Sequence, residues 1–226
     1  SSDLSALPGQ TIESYEDTLS KVLALEPEHI SAYSLILEEG TVFYDWYEKG
    51  KLDCGAWKLP SEEEEYAMGE LTILRLAEAG MHRYEISNYA KQGKECRHNL
   101  GYWDRTEYLG IGAGSSSLIK GERFDHIRDR KAYIEKIRNG ESILIDREIL
   151  SVESQMEEFM YLGLRKIEGV SRTDFQNYFG KNVDDVYGEI LDKLEEEQLL
   201  EFSGNRIRLT HRGMDVSNCV LAEFLF

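Results

Sequence analysis

Asp3-Leu4-Ser5-Ala6-Leu7-Pro8-Gly9-Gln10-Thr11 opens the stretch whose reading decides the fold, and the run from His29 to Leu37 closes it. Asp3 to Leu7 reads as a strand, and Pro8-Gly9-Gln10 as a turn. Thr11 is placed to cap a helix from about Ile12 to Leu25, whose apolar Ile12, Tyr15, Leu19, Val22 and Leu23 fall close to one face. Pro27 stops that helix, and His29 to Leu37 is an apolar run between breakers, which predicts a buried strand. Strand, helix and strand within about 35 residues make a βαβ unit, with parallel strands and a right-handed crossover.

Working outward, an irregular aromatic stretch from Phe43 to Trp57 precedes a second unit. Ser61-Glu62-Glu63-Glu64 matches the capping box S-x-x-E, and Tyr66, Leu71, Leu74 and Ala77 continue a helix that Gly80 stops. Arg83 to Ser87 is expected as the next strand. Leu109-Gly110-Ile111-Gly112-Ala113-Gly114 marks a tight loop before a short strand at Ser115 to Ile119. The character changes near Asp129: a short helix at Arg130 to Arg138, stopped by Asn139-Gly140, leads into a connector ending at Leu150. Helices near Val152 to Gly163, Arg172 to Tyr178 and Val183 to Glu197 follow. A hairpin comes next, with strands Leu200 to Phe202 and Arg206 to Leu209, and then a last helix from His211. Three helices and a hairpin resemble a winged-helix module.

The chain has 226 residues, enough for one large or two small domains at the usual ~100–200 residues each. Its 41% hydrophobic and 31% charged content is globular. Its longest apolar runs fall short of the ~18 residues that span a bilayer, so no transmembrane segment is expected. No basic stretch followed by an apolar one opens it, so nothing directs secretion. Three widely spaced cysteines, Cys54, Cys96 and Cys219, argue against a disulfide framework and for a reducing, cytoplasmic setting. A net charge of −17 repels phosphate backbones, and no local basic patch offsets it, so nucleic acid is not an expected partner. The third helix of the winged-helix-like module adds Asp184, Asp185, Glu189, Asp192 and Glu195 to Glu197, which suits protein contact better than DNA.

Chemistry concentrates in Tyr84-Glu85-Ile86-Ser87-Asn88-Tyr89-Ala90 and in Glu95-Cys96-Arg97-His98-Asn99-Leu100-Gly101-Tyr102-Trp103. A carboxylate, two amides, an imidazole and several aromatics gather beyond a strand end, where α/β proteins place binding sites. His98 could ligate a metal such as heme iron while Tyr102 and Trp103 stack on a flat macrocycle; an imidazole hydrogen-bonded within its own loop is the plainer alternative. Gly110-x-Gly112-x-Gly114 lacks the helix and acidic partner that would complete a dinucleotide loop. Cys96 and His98 lack the second pair of ligands a structural zinc needs.

These stretches resemble the Y-E-I-S-N-x-A and C-R-H-N-L-x-Y-W signature of radical S-adenosylmethionine (SAM) proteins of the HemW heme-chaperone and oxygen-independent coproporphyrinogen oxidase family. The opening run is similar to that family's D-L-x-x-G-L-P-G-Q-T, with Ala6 in place of a glycine. His29 to Leu35 resembles the next barrel strand. Gly163-Leu164-Arg165, Glu168-Gly169-Val170, Leu209-Thr210 and Gly213 look like the family's appended small domain.

The resemblance implies an α/β chain: the later βα units of a partial, TIM-like parallel barrel (1–120), a connector (121–150) and a winged-helix-like, mainly helical domain (151–226). It implies SAM contacts at Asp3, whose plainer role is a turn acceptor, and at Ile36 and Ser116. It also implies heme at His98, with Tyr102 and Trp103 packing beside it. Radical SAM chemistry uses a 4Fe-4S cluster on a C-x-x-x-C-x-x-C loop; this chain has no such spacing, so the cluster ligands are expected outside it. Ser115-Ser116-Ser117 also stands where many relatives carry Ala-His-Ser. The expected function is binding of heme and SAM for delivery of heme to client proteins. The rival is coproporphyrinogen III oxidation, which would call for a convergent Arg/Lys cluster that the sequence does not let one assemble, and a third possibility is a winged-helix interaction module. A partial barrel would leave an edge strand near Asp3 through which copies could associate.

Overall fold

A computed structural model describes residues 2–226, which divide into two compact units, 2–96 and 97–226, taken separately below. In the first, β1 (Ser2–Ser5) and β2 (His29–Ser34) pair in parallel, Asp3 opposite Ala32, and α1 (Ile12–Leu23) connects them. The helix starts where the sequence places it. Thr11 Oγ1 accepts from the Ser14 N–H at 3.2 Å, and Ser14 Oγ accepts from the Thr11 N–H at 2.9 Å, so two amides that a helix start leaves orphaned are satisfied reciprocally. Ser61 and Glu64 repeat the device at the head of α3 (Glu62–Glu78). Tyr15 and Leu19 of α1 bury against Met68 of α3, and Ile30, Leu76, Met81 and Tyr89 form a second cluster. Each such burial is worth about 1.5–3 kcal/mol. Tyr15 also bonds Thr72 through its hydroxyl at 2.7 Å, and burial pushes that phenol up to about 12.

Two expectations change here. The aromatic stretch is not irregular throughout: Thr41 caps a helix, α2 (Val42–Glu48), and a 3₁₀ turn covers Gly55–Trp57. The strand expected at 83–87 is a reversal between β3 (His82–Arg83) and β4 (Asn88–Ala90). Glu85 Oε1 accepts the Ser87 N–H at 2.9 Å and the Asn88 side-chain amide, while the Arg83 guanidinium donates to the Ile86 carbonyl. These bonds fold the segment back, so β4 pairs antiparallel with both β2 and β3, and the sheet order is β1-β2-β4-β3. Parallel pairing is confined to β1 and β2, and no closed barrel forms among the described residues.

The second unit begins with α4 (Arg97–Trp103), a helix where the sequence suggested loop. An antiparallel meander follows, of β5 (Ser116–Ile119), β6 (Glu122–His126) and β7 (Leu144–Ile149), with α5 (Arg130–Asn139) inserted before β7. Thus the segment expected as a connector is half sheet. Then come α6 (Val152–Gly163), β8 (Val170–Ser171), α7 (Arg172–Phe179), α8 (Val183–Glu196), β9 (Leu200–Ser203), β10 (Arg206–Leu209), α9 (His211–Asp215) and α10 (Ser217–Ala222). The hairpin β9–β10 recruits β8 as a third strand on β10. Phe159 and Phe175 meet edge to face at 5.5 Å, and Tyr187 packs against Phe224 at 5.4 Å in the helical core.

Backbone passes very close to backbone at Gly169, where φ is +66° and an added Cβ would stand 2.0 Å from the Ile207 carbonyl oxygen. Gly169→Ala is therefore expected to lower stability by about 1–3 kcal/mol in urea unfolding. Gly188, in α8 with open space around it, is the control: Gly188→Ala should raise stability by about 0.5–1 kcal/mol.

Candidate functional site

The signature residues separate into two settings. Those of 84–90 belong to the first unit, and their polar atoms are spent on structure. Glu85 is 1% exposed and bonded as described, Asn88 Oδ1 accepts from Ser31 Oγ at 2.5 Å, and the Tyr84 hydroxyl lies 2.8 Å from His29 Nε2. Burial lowers the pKa of His29. Near the other end of the sheet, Asp3 Oδ1 accepts from the Leu4 N–H at 2.9 Å. Its Oδ2 is buried with no hydrogen-bond partner among the described residues, a state that costs about 1–3 kcal/mol unless something supplies a donor. Ile36 follows β2 and is 75% exposed.

The residues of 97–103 lie on α4. His98 and Tyr102, one turn apart, meet edge to face at 4.8 Å, and Tyr102 meets Tyr108 in the same way at 4.9 Å. Both contacts border a shallow recess that Gly101 and Thr106 help to line. Tyr102 also borders a deeper recess of about 430 Å³, together with Trp103, Tyr108, Ser116, Tyr161 and Leu162. The fold thus brings Tyr102, Trp103 and Ser116 to one cavity and His98 to the hollow that shares Tyr102. One face of Trp103 is covered by the Arg165 guanidinium, 4.6 Å from the ring centroid.

The same cavity holds three residues that sequence reasoning missed. Glu158 of α6, 3% exposed, accepts from Arg105 Nε at 3.1 Å and from Arg123 Nη2 at 2.5 Å. Arg105 follows α4 and Arg123 lies on β6, so one carboxylate ties three segments together. Burial alone would pull the Arg123 guanidinium down, but the hydrogen bond and the charge of Glu158, together with Tyr161 and Tyr108, outweigh it and leave the pKa raised. Burial pushes up the phenols of Tyr108 and Tyr161 beside them. A convergent pair of arginines therefore exists where the sequence let none be assembled; each is one of 26 basic residues spread along the chain, and the spacing carries no periodicity.

Fit to the implied groups differs between them. An exposed imidazole beside aromatic rings suits heme iron. An aspartate with an orphaned, buried oxygen suits a ligand that carries donors, as SAM does. No group of three or more His, Cys, Asp or Glu able to hold a metal ion occurs among the described residues, and Cys54, Cys96 and Cys219 are free thiols, so the cluster finds no ligand set in them. No helix among them is long and apolar enough to cross a membrane.

An α/β chain with an aromatic and imidazole-bearing helix beside a small helical module defines a class, and comparison with known proteins names it. Residues 150–216 match the HemN C-terminal domain, and over nearly its whole length the chain is similar to HemW-type proteins. It is 40% identical over 219 residues to the heme chaperone HemW of Bacillus subtilis and 39% over 220 residues to that of Lactococcus lactis; each match covers 97% of this chain and 56% of the relative. The coproporphyrinogen III oxidase HemN of Escherichia coli, a radical SAM enzyme, shares the fold with a TM-score of 0.79 at 18% identity, covering 98% of this chain and 54% of that one. The chain thus spans about half the length of the relatives it matches.

Glu158→Gln leaves two arginines facing a neutral amide and is expected to lower the unfolding free energy by about 3 kcal/mol in denaturant titration. Asn88→Ala, which strips Glu85 and Ser31 of a shared partner, should cost about 1–3 kcal/mol.

Proposed function

We propose that this chain is part of a heme chaperone, binding heme at α4 and passing it to client proteins. The observation that supports this best is the disposition of His98: an exposed imidazole, aligned edge to face with Tyr102, at the rim of an aromatic-lined hollow. Heme, when bound, would supply an iron that takes a nitrogen ligand. His98 is the residue that would provide that nitrogen. Tyr102 orients the imidazole and offers an apolar wall, while Trp103, pinned by Arg165, holds the end of the helix in place. The similarity to HemW proteins supports the same reading.

SAM is proposed to reach this chain at Asp3, whose buried Oδ2 has no donor among the described residues, with Ile36 as a further contact in the first unit; Ser116 belongs to the second unit and is kept as a separate candidate. The 4Fe-4S cluster belongs to residues outside those described. We assign the protein to a reducing compartment, the cytoplasm, on its free thiols. We also retain 121 and 151 as organisational boundaries within the second unit. β1 is an edge strand of its sheet, and association of copies through that edge is part of the proposal.

Titration of the full chain with hemin, followed by absorbance, tests the heme reading. The unaltered chain should show saturable binding with an imidazole-ligated spectrum, and His98→Ala should lose that spectrum and bind at least several-fold more weakly. Unchanged affinity and an unchanged axial-ligand spectrum in the variant would remove His98 from the site.

A further inference from the structure

Arg105 and Arg123 do more in the cavity than neutralise Glu158. A guanidinium carries five N–H donors, and among the described residues each of these two donates only one, to Glu158. Both side chains border a cavity of about 430 Å³, inside the ~300–1,000 Å³ range of small-molecule sites, which Tyr102 and Tyr108 also line. Glu158 sits 3% exposed and holds one donor of each guanidinium, so both are tethered before any ligand arrives. Asp125 of β6 borders the cavity as well, and with Glu158 it balances the two cations, so an entering anion gains from oriented donors rather than from surplus charge. Planar, bidentate donors of this kind suit a carboxylate.

We propose that this cavity reads the carboxylate side arms of a flat aromatic ligand, with Arg123 as the principal donor, Arg105 as its support and Asp125 as the group that disfavours a second anion. The inference rests on the heme reading above and refines it: a macrocycle held at His98 and Tyr102 would send its acidic side arms into the neighbouring cavity, which Tyr102 shares. Arg123 leads because its side chain is the more accessible, 35% against 13% for Arg105.

Two probes separate this idea from the reading it rests on: hemin, and hemin dimethyl ester, whose propionates are blocked. The full chain is expected to hold hemin about tenfold or more tighter than the ester, the scale of a charge-assisted hydrogen bond. Arg123→Gln should erase most of that preference by weakening hemin alone, and Asp125→Asn should enlarge it; circular dichroism and thermal midpoints show that each variant is folded. Equal affinity of the unaltered chain for the two probes overturns the proposal while heme binding stands, and so does a preference that Arg123→Gln leaves whole. If Arg123→Gln does not fold, Asp125→Asn decides, and an unaltered preference there overturns the proposal. Binding of neither probe overturns the heme reading, and this inference with it.

Discussion

A carboxylate taken out of water needs counter-charge and donors, and in the second unit that need organises much else. Among the described residues, Glu158 joins α6, the meander strand β6 and the segment after α4 in a single set of hydrogen bonds. An isolated buried anion of this kind costs several kcal/mol, so the two arginines are a condition of the fold as well as a feature of its cavity. The positions of Tyr102, Trp103 and Tyr108 follow, because the helix and loop that carry them are anchored through Arg105. The first unit solves a parallel problem by other means. There Glu85 is satisfied by its own turn, and the bonds that satisfy it also reverse the chain and set the antiparallel strand beside the parallel pair.

What could be read from the sequence followed the strength of local signals. The starts of α1 and α3 were legible because Thr11 and Ser61 are caps whose partners lie three residues on, and the helices of the carboxy-terminal module were legible from their apolar spacing. β6 and β7 were not: Glu122-Arg123-Phe124-Asp125-His126 is mostly charged, and β7 leaves nearly all its residues exposed or half-exposed, so neither shows the alternation of a half-buried strand. The reversal at Glu85 was equally hidden, since Arg83 to Ser87 has strand-like residues and bends only through side-chain bonds to its own backbone.

The site divided in the same way. His98, Tyr102 and Trp103 stood out because they cluster within six residues, and the helix α4 puts His98 and Tyr102 on one face. Arg105, Arg123 and Glu158 are separated by tens of residues and belong to types that make up much of this chain, so only the fold assembles them. The aspartate at position 3 was singled out by resemblance; its buried, unpartnered oxygen is a property that only the three-dimensional structure could reveal.

The bond set around Glu158 also bears on where the carboxy-terminal module begins. Similarity to the HemN C-terminal domain starts at residue 150, and a polypeptide cut there would look complete by sequence. It would nonetheless leave behind, at 105 and 123, both of the cations that hold the Glu158 carboxylate in the whole chain. The boundary that homology draws and the boundary of this bond set are therefore different lines, and a free-standing version of the module that keeps the native surroundings of Glu158 would begin ahead of Arg105.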